Sequence, residues 1–195
     1  STSLNRLEQT TSAQLLTFPT AAHELFNDNL EHLKALEVEA TLILACTWLK
    51  RNRNSQKDEE AGFVPAFPLL SVDATHSEAV ATLERISSEN RQRERATLAV
   101  GRTLNFITFC DEWLLDSFEQ QIVMLLLMQN IAPDFISIFG GCKFEKGRGN
   151  GMEIGTLLSM LCTDLARQLE CRRYFSVVAP LFKNEIVALY NEIGR

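Results

Sequence analysis

The chain has 195 residues, of which 46% are hydrophobic and 23% charged, and 25 Asp and Glu against 19 Lys and Arg leave a formal net charge of −6. The pI is about 5.2 and the mean hydropathy −0.04. That length supports one sizeable core or two small lobes sharing one, and the acidic balance argues against a general binder of nucleic acid or of anionic membranes.

The polar start Ser1-Thr2-Ser3-Leu4-Asn5-Arg6 lacks the apolar core of a signal peptide, and no apolar run approaches the ~20 residues of a bilayer span. The expectation is a soluble, cytoplasmic protein with no membrane partner. The five cysteines, Cys46, Cys110, Cys142, Cys162 and Cys171, are odd in number and form no C-x-x-C pair. They read as reduced, mostly buried small hydrophobes.

Residues 4–16 suggest a first modest helix, stopped by Phe18-Pro19. Thr20 is then expected to cap a long helix to Leu49, whose Leu25, Phe26, Leu30, Leu33, Leu36, Ile43 and Cys46 recur at three- and four-residue steps and turn one stripe to the core. Lys50, Arg51 and Arg53 fall in its last turn, where cations suit the helix dipole. Near 52–72 lies a polar, proline-containing insert. Asn52 to Glu60 has no hydrophobic residue and reads as an exposed loop. Gly62 to Leu70 contains two prolines and is expected to cross the surface in extended form, tucking Phe63, Phe67 and Leu69 into the core.

A second long helix is expected from Thr75, whose T-x-x-E spacing to Glu78 is a capping box. It runs through Leu83 and Ile86, meets the polar stretch Ser87 to Arg95, and resumes with Leu98, Val100, Leu104, Ile107 and Phe109. At Ser87-Ser88-Glu89-Asn90 either one helix projects into solvent or two helices meet. The apolar run Ile122 to Met128 has no polar face and predicts the central helix of the core, covered on all sides. Asp116 and Ser117, with Glu119 and Gln120 three positions on, mark its start; Asn130 and Pro133 mark its end. Met124, Leu127 and Met128 are a partner groove only if exposed, and the core reading is favoured.

Residues 140–151 hold five of the nine glycines. A helix with Ile154, Leu157, Leu158, Leu161 and Leu165 on one face follows. A short helix through Leu169 and Tyr174, the corner Ala179-Pro180-Leu181 and a last helix with Ile186, Leu189, Tyr190 and Ile193 complete the chain. The abrupt stop at Arg195 carries the expectation of a fragment of something longer.

Catalytic signatures are absent. There is no Gly-Lys pair and therefore no G-x-x-x-x-G-K-[ST], and no G-x-S-x-G. His23, His32 and His76 have no metal-ligand spacing. Asp73, His76 and Ser77 are sequence neighbours at a helix start, where capping accounts for them. No catalytic residue, metal ligand or cofactor is therefore expected within this chain. The one motif with functional pull is the glycine loop, where Lys143, Lys146, Arg148 and Asn150 precede a helix N-terminus that would hold an anion or a partner.

Three stretches carry a family resemblance: Leu114 to Leu127, with Asp116-Ser117-Phe118-Glu119 ahead of a leucine-rich helix; Gly151-Met152-Glu153-Ile154-Gly155-Thr156-Leu157-Leu158; and Arg172-Arg173-Tyr174-Phe175-Ser176-Val177-Val178-Ala179-Pro180-Leu181. Together they resemble the winged-helix-like N-terminal region of a family of bacterial and archaeal AAA+ ATPases, some encoded with phage-tail-like contractile injection systems. Gly151-Met152 stands where that family has Pro-Thr, and its loop there is more acidic.

The resemblance implies a mainly α fold, a helical bundle with a C-terminal winged-helix-like subdomain. Residues 1–110 form its helical part and residues 111–195 its winged-helix-like part, sharing one core. It also implies a non-catalytic recognition domain that binds a protein substrate, adaptor or assembly partner, with ATP and Mg held by an ATPase module further along the same polypeptide. Rivals are a winged-helix nucleic-acid binder, disfavoured by 8 Lys/Arg against 11 Asp/Glu from Asp111 onward, an autonomous interaction module, and an enzyme with a helical active site.

Overall fold

The computed structural model describes residues 24–52, 65–144 and 152–188. The expected helix over 4–16, Thr20, Arg53, Phe63 and Leu189 to Ile193 lie outside the described residues. The described elements are helical: α1 Asn29–Asn52, α2 His76–Ala99, α3 Asn105–Glu112, α4 Ser117–Ile131, α5 Pro133–Gly141, α6 Ile154–Leu161, α7 Leu165–Cys171, a 3-10 turn Arg172–Phe175 and α8 Pro180–Lys183. Among the described residues there is no strand, and the protein is mainly α.

The first long helix starts later than expected. Residues 24–28 are not helical; Asp28 caps α1 by accepting from the backbone N–H of Glu31 at 2.8 Å, and Glu31 reaches back to the N–H of Asn27 at 2.8 Å. This reciprocal pair satisfies donors that no earlier residue could reach. Nor does α1 turn a single stripe inward. Seven successive residues, Glu39 to Ala45, are buried, because α2, α4, α5 and α6 all pack on this helix. Thr41 and Thr47 survive there by donating their hydroxyls to the carbonyls of Glu37 (2.7 Å) and Ile43 (3.0 Å).

The capping boxes at Thr75/Glu78 and Asp116/Glu119 are both formed. Helix α2 neither breaks nor projects at Ser87; it packs on α1 through Ser87, Asn90, Arg91 and Glu94 and runs unbroken to Ala99. There the turn over Val100 to Thr103 separates it from α3, which is why Leu98 and Val100 are exposed while Leu104 and Phe106 are buried. Helix α4 is the apolar centre as expected, with Ile122, Met124, Leu125 and Met128 buried and Val123, Leu126 and Leu127 packed against them. Pro133 opens α5, and the chain turns by 96° between the two helices, since a proline N1 residue has no N–H to extend α4.

Three helices end in the same way. In the Schellman motif the residue after the cap takes a left-handed conformation. After α2 this is Gly101 (φ 79°), with Gly101 N–H on the Leu98 carbonyl and Arg102 N–H on that of Thr97. After α3 it is Leu114 (φ 52°), and after α8 Glu185 (φ 57°), each with the matching pair of bonds. Lys143 after α5 is also left-handed (φ 49°). Only one of the four is a glycine, so sequence signals for these stops were weak.

Other expectations are corrected. Phe67 is half-buried against Trp48, with ring centroids 5.9 Å apart, but Leu69 is exposed at φ 62° in a turn. Leu165 belongs to α7, because Asp164 caps a new helix through the N–H of Arg167 at 2.9 Å, and it points away from the core. After the Ala179-Pro180-Leu181 corner and α8, residues 184–187 form turns and bends, and Ile186 is not helical as expected. Residues on both sides of position 110, from Leu36 to Leu181, contribute to one apolar cluster.

Candidate functional site

Of the four loop residues singled out by sequence, the structure describes only Lys143. It is exposed in the turn after α5; Lys146, Arg148 and Asn150 lie outside the described residues. The loop leaves from Phe144, whose ring packs on Phe139 (6.1 Å) and under the Arg51 guanidinium (5.1 Å), and it returns at buried Met152. Both ends are thus pinned beside the C-terminus of α1 and the start of α6.

A second constellation was not anticipated. On α2 the residues Ser87, Asn90, Glu94 and Thr97 recur at steps of three, four and three, which is helical periodicity written in polar residues. They face α1 in an antiparallel seam. Asn90 Nδ2 donates to Glu39 Oε2 at 2.9 Å and Ser87 Oγ to Glu39 Oε1 at 2.9 Å. His32 Nε2 lies 2.9 Å from Glu94 Oε1, and Arg91 bridges the two acids, on Glu94 at 3.0 and 3.1 Å and on Glu39 at 3.3 Å. Burial pushes the Glu94 carboxyl up, but His32 and Arg91 outweigh it and hold it below the usual range. Burial likewise works against the Arg91 charge, and Glu39 and Glu94 more than restore it.

The seam continues to the entry of the chain. Thr97 Oγ1 accepts from Phe26 N–H at 2.9 Å, Arg93 holds the carbonyls of Glu24 and Leu25 and the Glu31 carboxylate, and its guanidinium sits 4.0 Å over the Phe26 ring. Beyond it opens a cleft of about 340 Å³ lined by Phe26, Asn27, Asp28, Thr97, Arg102 and Leu104 among others. Of its polar groups, Asn27 and Asp28 are engaged at the start of α1, Thr97 holds the Phe26 N–H, and Arg102 donates to the Phe26 carbonyl at 3.0 Å. The charges of the seam pair with one another across α1 and α2, while His32 Nδ1 on the far side of the ring is buried without a hydrogen-bond partner among the described residues.

Among the described residues no cluster of His, Cys, Asp and Glu could hold a metal ion. The cysteines are free thiols; burial pushes Cys46 and Cys110 up to about 11 and Cys142 to about 12, which leaves them poor nucleophiles. Among the described residues no single helix is long and apolar enough to cross a membrane, and α4 with α5 reaches that composition only across the 96° bend.

Helices α4 and α5, with the bend between them, and α6 pack on α1 around the apolar cluster. A family model described as "Winged helix domain, variant" matches residues 17–194. The chain belongs to that family. No curated protein matches it, and no solved structure does. The winged-helix domain extends over α1 and α2 as well as the C-terminal helices, so the α1–α2 seam lies inside the matched region. Of the glycine loop over residues 140–151, positions 145–151 lie outside the described residues. Helices α4, α5 and α6 of this winged-helix domain contain no Lys or Arg at all.

Proposed function

We propose that this winged-helix domain is the non-catalytic N-terminal part of a cytoplasmic AAA+ ATPase, of the kind that includes ATPases accompanying contractile injection systems. It recognises a protein substrate, adaptor or assembly partner and presents it to an ATPase module downstream in the same polypeptide. ATP and Mg belong to that module. The observation that carries a protein-binding role over a nucleic-acid one is the absence of any cation on α4, α5 and α6. A duplex-reading helix needs a basic face to displace counterions. The ATPase assignment is supported by the three resembling stretches, which fall at the start of α4, the start of α6, and the 3-10 turn leading to α8.

The test begins with the reading frame past Arg195. A strand followed by G-x-x-x-x-G-K-[ST] is expected there, and its absence ends the ATPase reading. In the parent protein, deletion of residues 1–195 is expected to leave basal ATP hydrolysis and remove stimulation by the partner. An electrophoretic shift of duplex DNA at low ionic strength that disappears with added salt would instead favour the nucleic-acid alternative.

A further inference from the structure

Residues 24–28 are not helical, and they are held differently from the rest of the interior. Glu24, Asn27 and Asp28 are exposed, Leu25 is half-buried, and Phe26 alone is fully buried. Phe26 stands apart from the apolar cluster that joins Leu36 to Leu181. Its ring has polar neighbours instead, the Arg93 guanidinium 4.0 Å from the ring centre and the His32 ring at 4.9 Å.

The backbone around Phe26 is bound by side chains of α2 and of the turn after it. Arg93 donates to the carbonyls of Glu24 at 3.1 Å and Leu25 at 3.3 Å, Thr97 Oγ1 accepts from the Phe26 N–H at 2.9 Å, and Arg102 donates to the Phe26 carbonyl at 3.0 Å. None of these four bonds uses the side chain of Glu24 or Leu25. A segment of different sequence with a phenylalanine in the same place therefore satisfies the same three residues, as in other sites that read a peptide by its backbone and one anchor. The cleft next to Phe26, which Thr97, Arg102 and Leu104 also line, gives an incoming chain a way to the anchor. One anchor outside the main cluster, on an otherwise exposed segment, is the kind of unit that opens without global unfolding.

We propose that Arg93, Thr97, Arg102 and the pocket of Phe26 form a peptide-docking site that the chain's own residues 24–26 occupy in cis, and that a non-helical, phenylalanine-bearing segment of the partner protein takes it by displacing them. This rests on the recognition role proposed above and names its surface and the chemistry of the ligand. The cis segment is tethered, with an effective concentration on the order of millimolar, so a partner must outcompete it. Weak or non-cognate segments are thereby kept out.

The probe is a fluorescein-labelled synthetic peptide spanning residues 21–30, with a second peptide bearing Phe26→Ala as control, each titrated with the whole chain and read by anisotropy. Phe26→Ala in the chain empties the cis site, and that variant is expected to bind the phenylalanine peptide about tenfold or more tightly than the wild type does. The control peptide is expected to bind it about tenfold more weakly, the scale of a buried aromatic anchor. Adding Arg93→Gln and Arg102→Gln to the variant is expected to weaken the phenylalanine peptide about tenfold again, because its carbonyls lose their donors. Circular dichroism confirms that the variants fold. Native-state hydrogen exchange tests the same idea on the wild type: the Phe26 N–H is expected to exchange about a hundredfold or more faster than the amides of Leu42 and Leu44, buried in the middle of α1.

A folded Phe26→Ala chain that binds neither peptide, or both equally, overturns the proposal. So does a Phe26 N–H that exchanges only as fast as that of Leu42, a result that stands even if the variant does not fold. A wild-type dimer in sedimentation equilibrium that Phe26→Ala dissociates also overturns it, since the segment then serves a second copy by exchange. If the site fails while deletion of residues 1–195 still removes partner stimulation in the parent, the recognition role stands and the partner docks elsewhere. If the peptide binds while the frame past Arg195 holds no ATPase, the docking site stands and the ATPase reading falls.

Discussion

Two buried regions meet on α1 and are held by opposite means. On one side α4 packs Ile122, Met124, Leu125 and Met128 against Leu36, Ile43 and Leu44, an apolar cluster whose stability comes from area removed from water. On the other side α2 packs Asn90 and Glu94 against Glu39 and His32, all 5% exposed or less, and the contact is hydrogen bonds and ion pairs. The apolar side tolerates volume-conserving exchange. The polar side does not tolerate loss of one partner, because each remaining group is stranded without water. Burial alone thus says little about how a region will answer to mutation.

The largest effect separating the two should come from the apolar side. Phe135, fully buried and 6.0 Å from Phe139, loses both transfer energy and packing on truncation; Phe135→Ala is expected to cost about 3–5 kcal/mol, read as a fall in the urea midpoint. In the seam, Glu94→Ala strips a partner from both His32 and Arg91 and should cost about 1–3 kcal/mol.

The seam should also respond to acid where the apolar side does not. The folded Glu94 carboxyl lies below its ordinary range, so its contribution is complete above the unfolded value of about 4.3 and fades as pH falls through the lower folded value. Urea midpoints measured near neutrality and in mild acid are expected to fall more for the wild type than for Glu94→Gln. Phe135→Leu should keep the wild-type pH slope.

Smaller effects test the helix ends. Asp116→Ala removes the acceptor of the Phe118 and Glu119 N–H groups and should cost about 1 kcal/mol, seen by thermal melting. The smallest compares two stops of the same geometry. Gly101→Ala places a Cβ at φ 79° and should destabilise by about 1 kcal/mol. Leu114→Gly relieves a leucine at φ 52° whose side chain is 88% exposed and should stabilise by about 1 kcal/mol or less. A destabilised Leu114→Gly would mean that the leucine packs on something in solution.

Local signals were legible where they are local. Thr75/Glu78 and Asp116/Glu119 announce their helices because a capping box joins residues three apart. The apolar run of α4 announces a core because no face is left for water. The seam was hidden because Ser87 to Arg95, taken alone, reads as a solvated stretch. Its burial depends on Glu39 and His32, some 50 and 60 positions away. Among the loop residues, Lys143 is a turn residue whose side chain meets solvent, and the exposure of Leu165 and Leu169 was missed because they read as ordinary core leucines.

The sequence by itself determined the helical class, the main capping points, the central place of α4, and the absence of a phosphate-binding signature. These follow from short-range periodicity and from which backbone donors a nearby side chain can reach. Only the tertiary structure decided that α1 is enclosed along its middle, that the polar half of α2 is an interior surface, and that the leucines of α7 face outward. Burial is a property of what packs alongside a segment, and a chain in isolation does not state its neighbours.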